Sequence, residues 1–365
     1  KPLIEMGRTN MASMLKTKGY QTAAIGKWHL GWNWPTKNGK PPVDTKDECN
    51  VDYSKKVTGG PTSIGFDYFF GMDAPNYPPY AYIENDKVKG TPTVFYPSQP
   101  YADYRPGTGV EGWNLEHIMP DLQQAAVGYI SKASSIGKPF FLYLPITAPH
   151  TPIAPKKSYL GSSGLNVYAD FVKQVDDFVG AIQQALAANN LTQNTILVFT
   201  SDNGPYWRED YVNKFQHKSA GPWRGMKGDA YEGGHRVPFI VKWPGNTKPG
   251  SVSDATTTLA NLMSTAAEMV GNANPRYQTE DSYSILSVLK GKSTSVDKQP
   301  AVVHSSSIGY FAIRIGNWKL IEGLGSGGFT VPKQIKAKPG EAIGQLYNIA
   351  EDPHEDKNLY DQYPE

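Results

Sequence analysis

The sequence predicts an α/β protein: a mostly parallel sheet flanked by helices, followed by a small antiparallel C-terminal subdomain. Three observations carry this expectation. The apolar runs PFFLYLPI (139–146), TILVFTSD (195–202) and VPFIVKWP (237–244) have the length of buried strands and are too short for helices. A long amphipathic pattern separates the first two of them, and strands alternating with helices imply a parallel sheet covered on both faces. From about residue 275 the texture changes to short strands punctuated by Gly, Pro and Ser.

Taken in order, residues 10–18 (NMASMLKTK) read as a helix capped by Asn10 and ended at Gly19. YQTAAIGKWHL (20–30) reads as a strand that leaves the core at Lys27. Residues 73–113 are rich in Tyr and Pro with little periodicity. They read either as a surface excursion packed by its own tyrosines or as a substrate platform using Tyr77, Tyr80 and Tyr82. Residues 165–188 place Tyr168, Val172, Val175, Val179, Ile182 and Leu186 at spacings of three and four, one face of a helix. Residues 255–270 read as another helix. AVVHSSS (301–307), YFAIRIGNWKLIEG (310–323) and GQLYNIAED (344–352) read as the short strands of the last part, with 324–341 a loop inserted between two of them. The expected division is a large α/β domain over 1–274 and the antiparallel subdomain over 275–365.

Composition narrows the function. Among 365 residues, 36 Lys and Arg against 34 Asp and Glu leave a net charge of +2, so no whole-body field draws in nucleic acid. A chain 39% hydrophobic and 19% charged is folded rather than disordered. No run of about 18 apolar residues is present, so no membrane span is expected. The single cysteine, Cys49, excludes a disulfide framework and a Cys-rich zinc or iron–sulfur site. The first residue is Lys1 rather than Met and no signal peptide follows it, so the chain reads as a processed product or a fragment.

In an open parallel sheet, ligands sit beyond the carboxyl ends of the strands. Lys27 and His29 follow the first strand, and Thr147, His150 and Thr151 follow the run at 139–146. Asp202 and Asn203 follow the run at 195–202, and Arg224, Lys227, His235 and Arg236 precede the strand at 237–244. Each has an ordinary explanation when taken singly: Asp202-Asn203-Gly204 is a favoured turn, and the others suit surface loops. Their convergence on strand ends is what points to chemistry. A carboxylate beside an amide carbonyl is an all-oxygen pair suited to a hard cation such as Ca²⁺ or Mg²⁺. Lysines and histidines without carboxylate partners imply an anionic substrate, a phosphoryl or sulfuryl group.

These residues lie in blocks that resemble the sulfatase family. GYQTAAIGKWHLG (19–31) is similar to the family's second signature, and FTSDNGP (199–205) to its metal-binding strand end. TAPHTP (147–152) is similar to the block of its leaving-group histidine, and RGMKGDAYEGGHRVPFIVKWPG (224–245) to its lysine loop. WKLIEG and LYNIAEDPHEDKNL (346–359) resemble its C-terminal tail. The resemblance implies an alkaline-phosphatase-like fold and hydrolysis of sulfate monoesters with Ca²⁺, Mg²⁺ being the other hard cation. It implies that Lys27 and Lys227 contact sulfate, that His29 assists its release, that His150 protonates the departing alcohol and that Asp202 and Asn203 ligate the metal. His235 and Arg236 are expected as rim contacts or supports.

One part of the family pattern does not match. Such sulfatases attack with a formylglycine made from a C/S-x-P-S-R motif and carry two adjacent aspartates ahead of it. The motif does not occur in residues 1–365 and no such aspartate pair lies near the N-terminus, and Cys49 in ECNVDYS does not fit. The expectation is that both lie in an N-terminal segment of roughly a hundred residues ahead of Lys1, and that the chain alone does not turn over sulfate esters. The expected partner is a sulfated carbohydrate or other sulfate monoester. A phosphate or phosphonate ester hydrolase, or an inactive carbohydrate-binding relative, are the competing readings. Family habit gives a periplasmic or secreted location, and Asn190-Leu191-Thr192 is a glycosylation acceptor pattern.

Overall fold

The computed structural model describes residues 1–99, 103–272 and 279–363. They form two compact units, Lys1–Thr195 with Ala266–Glu280, and Ile196–Thr265 with Asp281–Glu365. The boundary expected between residues 274 and 275 lies outside the described residues.

The first unit begins with α1 (Met11–Thr17), which starts where Asn10 and Ser13 cap each other: the Ser13 N–H donates to Asn10 Oδ1 at 3.0 Å and the Asn10 N–H to Ser13 Oγ at 3.0 Å. The strands β1 (Gln21–Lys27), β2 (Tyr68–Met72), β3 (Ile83–Glu84) and β4 (Lys87–Val88) follow, then the short pair β5 (Val94–Tyr96) and β6 (Gly107–Gly109). Next come α2 (Leu115–Ile136), β7 (Phe140–Tyr143) and α3 (Val167–Ala188). The main sheet runs β4–β3–β2–β1–β7; β2, β1 and β7 are parallel, and β3 and β4 add an antiparallel hairpin at one edge. β1 is the middle of the three parallel strands, with Thr22 to Gly26 all buried. The strand closes tightly on both neighbours: a Cβ on Gly26, whose φ is +138°, would lie 2.2 Å from the Pro145 carbonyl oxygen, and one on Gly71 would lie 1.8 Å from the Gly26 oxygen.

α2 is the main element the sequence reading does not anticipate. Pro120 sits inside it, where it supplies no N–H to the helix. The buried stripe Ile118, Met119, Leu122, Ala126, Ile130 and Ala133 outweighs that loss. α3 falls where expected, but its buried face is Asp170, Phe171, Gln174, Val175, Phe178, Ile182, Ala185 and Leu186, and Val172 is exposed. The face is rotated because Asp170 accepts from the Gly161 and Ser163 N–H groups at 2.8 Å each, and Gln174 from the Lys156 N–H at 2.9 Å. Two polar side chains thus occupy the inner stripe by satisfying a loop.

The second unit contains β8 (Leu197–Thr200), α4 (Glu209–Phe215), α5 (Glu232–His235) and β9 (Phe239–Lys242). α6 (Asn261–Met269) is shorter than the helix expected over 255–270, and α7 (Leu286–Leu289) follows. The runs at 195–202 and 237–244 do form strands, but β8 and β9 pair with each other in antiparallel register. They are half-covered rather than buried, Phe239 and Val241 facing in and Ile240 and Lys242 out, the alternation of a ribbon with one covered face. The last part matches its expectation: β10 (Val302–Ser305), β11 (Phe311–Ile315), β12 (Trp318–Ile321) and β13 (Gln345–Asn348) form an antiparallel sheet in sequence order. Residues 324–341 are inserted between β12 and β13. Ala230, Tyr231, Ala312, Ile321, Tyr347 and Ile349 form this unit's apolar cluster.

Leu122 in α2 has no exposed surface. Leu122→Ala is expected to cost ~2–5 kcal/mol of stability, read as a lower urea midpoint, while Lys132→Ala on the exposed face stays within about 0.5 kcal/mol.

Candidate functional site

Lys27, His29 and His150 belong to the first unit; Asp202, Asn203, Lys227, His235 and Arg236 belong to the second. In the first unit, the parallel pairing of β1 with β2 and β7 delivers three carboxyl ends to one edge of the sheet. The Lys27 N–H donates to the Pro145 carbonyl at 2.7 Å and the Trp28 N–H to the Met72 carbonyl at 2.9 Å, so Lys27 is fixed between the two neighbouring strand exits. His29 takes a left-handed backbone conformation, φ +49°, and its ring lies 5.2 Å from that of Tyr77.

His150 lies in the turn after β7, its N–H donating to the Thr147 carbonyl at 3.1 Å. Its Nδ1 is 2.6 Å from the Thr151 carbonyl oxygen. A carbonyl only accepts, so Nδ1 carries the hydrogen and Nε2 is the end whose protonation changes. A ring held this way donates a proton from Nε2 only in its imidazolium form.

Asp73 is the residue that sequence reasoning missed. It follows β2 directly, accepts from Trp32 Nε1 at 3.1 Å and from the His29 backbone N–H, and feels the charges of both Lys27 and His29. Burial raises its carboxyl above the usual range, and His29 and Lys27 oppose that shift. The cations at this edge therefore do have a carboxylate beside them, contrary to the sequence reading. The signal was the acidic residue in FFGMDAP immediately after an apolar strand.

The tyrosine platform is corrected as well. Tyr80 is 1% exposed, stacks on Tyr104 at 4.1 Å, and donates its hydroxyl to the Asn76 and Arg105 carbonyls. Tyr82 donates to Asp121 at 2.8 Å and stacks on Phe70. These rings are the segment's own small core. Tyr77 differs, lying between the His29 ring and the Arg105 guanidinium, which sits 4.3 Å from its centroid. Pro100, Tyr101 and Ala102 of the same segment lie outside the described residues.

In the second unit, two loops are clamped together. The Gly204 N–H donates to the Gly234 carbonyl at 2.9 Å and the Lys227 N–H to the Pro205 carbonyl at 2.9 Å. A Cβ on Gly204 would lie 1.9 Å from the Gly233 oxygen, so only glycine permits this approach. The turn carrying Asp202 and Asn203 is thereby joined to the turn carrying Lys227. Asp202 is exposed, and Asn203 Nδ2 donates to the Gly204 carbonyl at 2.9 Å, which leaves the amide oxygen as the end to face a cation. Asp229, with no exposed surface, shapes the Lys227 turn by accepting from the Met226 N–H at 2.9 Å.

Two hard oxygens match a calcium ion in kind but fall short of the six to eight it takes. Among the described residues, no three of His, Cys, Asp and Glu gather into a metal cage.

Behind the lysine turn lies a buried ionic cluster. Lys319, fully buried in β12, sits 3.1 Å from Glu232 and 2.9 Å from Glu355. Arg314 and Arg236 also reach Glu232, at 2.6 and 2.7 Å. Burial alone raises the Glu232 carboxyl, but Lys319, Arg236 and Arg314 overcome it and hold it at about 2. Arg236 also stacks over Trp223 at 3.6 Å, so its guanidinium is already engaged within the fold. His235 packs on His304 with ring centroids 3.8 Å apart. Burial first, then Lys319, lowers His235 to about 4; burial, then His235 and Lys319, lowers His304 to about 3.

Comparison with known proteins places this geometry. The model of the family described as Sulfatase matches residues 3–272. An N-acetylgalactosamine-6-O-sulfatase of Bacteroides thetaiotaomicron is 31% identical over 405 aligned residues, which take in 100% of this chain and 75% of that protein. An arylsulfatase of Hemicentrotus pulcherrimus is 29% identical over 85% of this chain and 51% of its own length. The chain thus spans three quarters of the first relative and about half of the second. A solved structure from a Bacteroides thetaiotaomicron locus for metabolism of multiple glycosaminoglycans superposes with a TM-score of 0.83 at 28% identity, covering 100% of this chain and 80% of that one.

The histidine pair gives a pH dependence with a definite sign. Both groups have folded values below the ordinary 6.5. The unfolded chain therefore binds more protons below about 6.5, and stability falls as pH drops from there toward 4. For His235 the loss is of the order of 3 kcal/mol by pH 4. Urea midpoints between pH 8 and 5 are expected to show this acid-side fall, and His304→Gln to flatten it; an unchanged slope in that variant contradicts the assignment.

Proposed function

The chain belongs to the sulfatase family, and on that premise we propose that it is a sulfuric ester hydrolase acting on a sulfated carbohydrate. The observation that carries the reading is the clamp between the two turns of the second unit, which joins the Asp202–Asn203 oxygen pair to Lys227. One turn offers oxygens to a hard cation and the other an ammonium to an anion, the combination a sulfate ester calls for. The narrower substrate reading is a 6-sulfated N-acetylhexosamine, supported by the name of the Bacteroides relative.

In this reading Lys27 and Lys227 each have the sulfate-contact role that the family resemblance implies. His29, braced by Tyr77, assists release of sulfate. His150 carries its mobile proton on Nε2 because Nδ1 is held by the Thr151 carbonyl, and it protonates the departing sugar hydroxyl. Asp202 and Asn203 contribute two oxygens to a metal, Ca²⁺ by family resemblance with Mg²⁺ as the other hard cation; such an ion supplies neutralisation of the ester's charge. The nucleophile of the proposal is the family's formylglycine, whose motif does not occur in residues 1–365. Export to the periplasm or beyond belongs to the same proposal. No helix of the described residues is long and apolar enough to cross a membrane.

The test is turnover of 6-sulfated N-acetylhexosamine by the natural gene product. Lys227→Ala is expected to lower kcat/KM by about 10² or more. Faster turnover of a phosphonate or phosphate monoester than of the sulfate would overturn the substrate assignment. His150→Ala is expected to slow alkyl sulfates by ~10²–10⁴ and activated aryl sulfates far less, because a good leaving group needs little protonation. Equal losses on the two substrates remove His150 from the acid role.

A further inference from the structure

Two exposed aromatic rings flank the backbone of Lys227. Tyr206 follows Pro205, whose carbonyl accepts the Lys227 N–H at 2.9 Å. Phe329 follows Gly328, which packs so closely on Gly228 that a Cβ there would lie 2.2 Å from the Gly228 oxygen. The rings meet edge to face, centroids 5.9 Å apart and planes at 90°. Tyr206 is 43% exposed and Phe329 41%.

Scattered exposed aromatics are ordinary on protein surfaces. These two differ in how firmly they are held. The Phe329 and Thr330 N–H groups donate to Asp229 Oδ1 at 2.6 and 3.0 Å, and the Thr330 hydroxyl donates to Asp229 Oδ2. The same carboxylate accepts the Met226 N–H. A single buried side chain therefore fixes Phe329 and the Lys227 turn in one frame, and the clamp at Pro205 fixes Tyr206 to it. A pair of rings locked at a right angle against the turn that carries Lys227 is preorganised for a ligand with an anion for the lysine and an apolar ring face for the rings.

We propose that Tyr206 and Phe329 form a sugar-ring subsite, stacking on the C–H face of the hexose whose sulfate Lys227 holds. This rests on the sulfate-ester reading above and adds to it the residues that select a saccharide. The 324–341 loop then acts in specificity, and the role first given to the tyrosines of 73–113 passes to this corner.

The experiment compares two probes on the natural gene product: inorganic sulfate, which has the anion and no ring, read as a competitive inhibition constant, and 6-sulfated N-acetylhexosamine, read as KM. Tyr206→Ala and Phe329→Ala are each expected to weaken the sulfated sugar about tenfold, the scale of burying one apolar sugar face on one ring. Sulfate affinity is expected to move less than twofold, and Phe329→Tyr to restore the sugar. Thermal melts within about 2 °C of the parent establish that the exposed-ring variants are folded. Unchanged sugar affinity with sulfate still bound would overturn the subsite and leave the sulfate reading intact. A parent protein that binds neither probe would overturn both. Equal weakening of sulfate and sugar would also overturn the subsite, since the rings would then act on the lysine turn and not on the saccharide.

Discussion

A buried ammonium governs the second unit. Lys319 has no contact with water, and its charge is met by Glu232 at 3.1 Å and Glu355 at 2.9 Å. Desolvating three charges is costly, and the arrangement holds only while all partners are present; removing one leaves an uncompensated buried charge worth ~3–5 kcal/mol. The three groups come from α5, from β12 and from the turn after β13, segments far apart in sequence. The Glu355 carboxylate also accepts the Glu232 N–H at 2.7 Å, and its carbonyl accepts Arg224 at 2.6 Å. The loop from 224 to 236 is therefore held at both ends by a motif over a hundred residues away, and Lys227 is carried on that loop. The C-terminal sheet thus fixes the loop on which Lys227 sits.

The same arrangement explains which residues were legible in the sequence. Lys27, His150 and Asp202 stand out in the sequence because each follows an apolar run, and a run that ends in a polar group marks a strand leaving the core. Lys319 and Glu355 carry no such mark. In sequence they are two charged residues among many, and only tertiary pairing makes them interior. Asp170 and Gln174 misled for the related reason that they look like the outer face of α3 yet lie inside, satisfying loop N–H groups. Pro120 hid α2, since a proline in a helix interior argues against the helix and only its packed stripe overrides that. The antiparallel pairing of β8 with β9 was not readable from the strands themselves, because strand patterns fix faces and not partners.

The two units bring different capacities. The first holds Lys27, His29 and Asp73 at adjacent strand exits, so a carboxylate tempers the cations at that edge. The second holds an oxygen pair and a lysine on clamped turns. His150 adds a ring whose tautomer is set by one carbonyl. In each case the backbone does the positioning: glycines at 26, 71 and 204 let main chains approach to distances no side chain allows.

The insertion between β12 and β13 has a consequence for what the fold tolerates. β12 and β13 are held in register by their own ladder, so the largely exposed stretch 336–341 tolerates changes in length. The base of the insertion is tethered to the lysine turn through Asp229, which accepts from Phe329 and Thr330, and through the Ala230 N–H, which donates to the Ser326 carbonyl at 2.7 Å. Changes in 336–341 leave the frame of the Lys227 turn as it is, because the hydrogen bonds to Asp229 come from Met226, Phe329 and Thr330. Length can thus change at the outer end of the excursion while the frame at its base stays fixed.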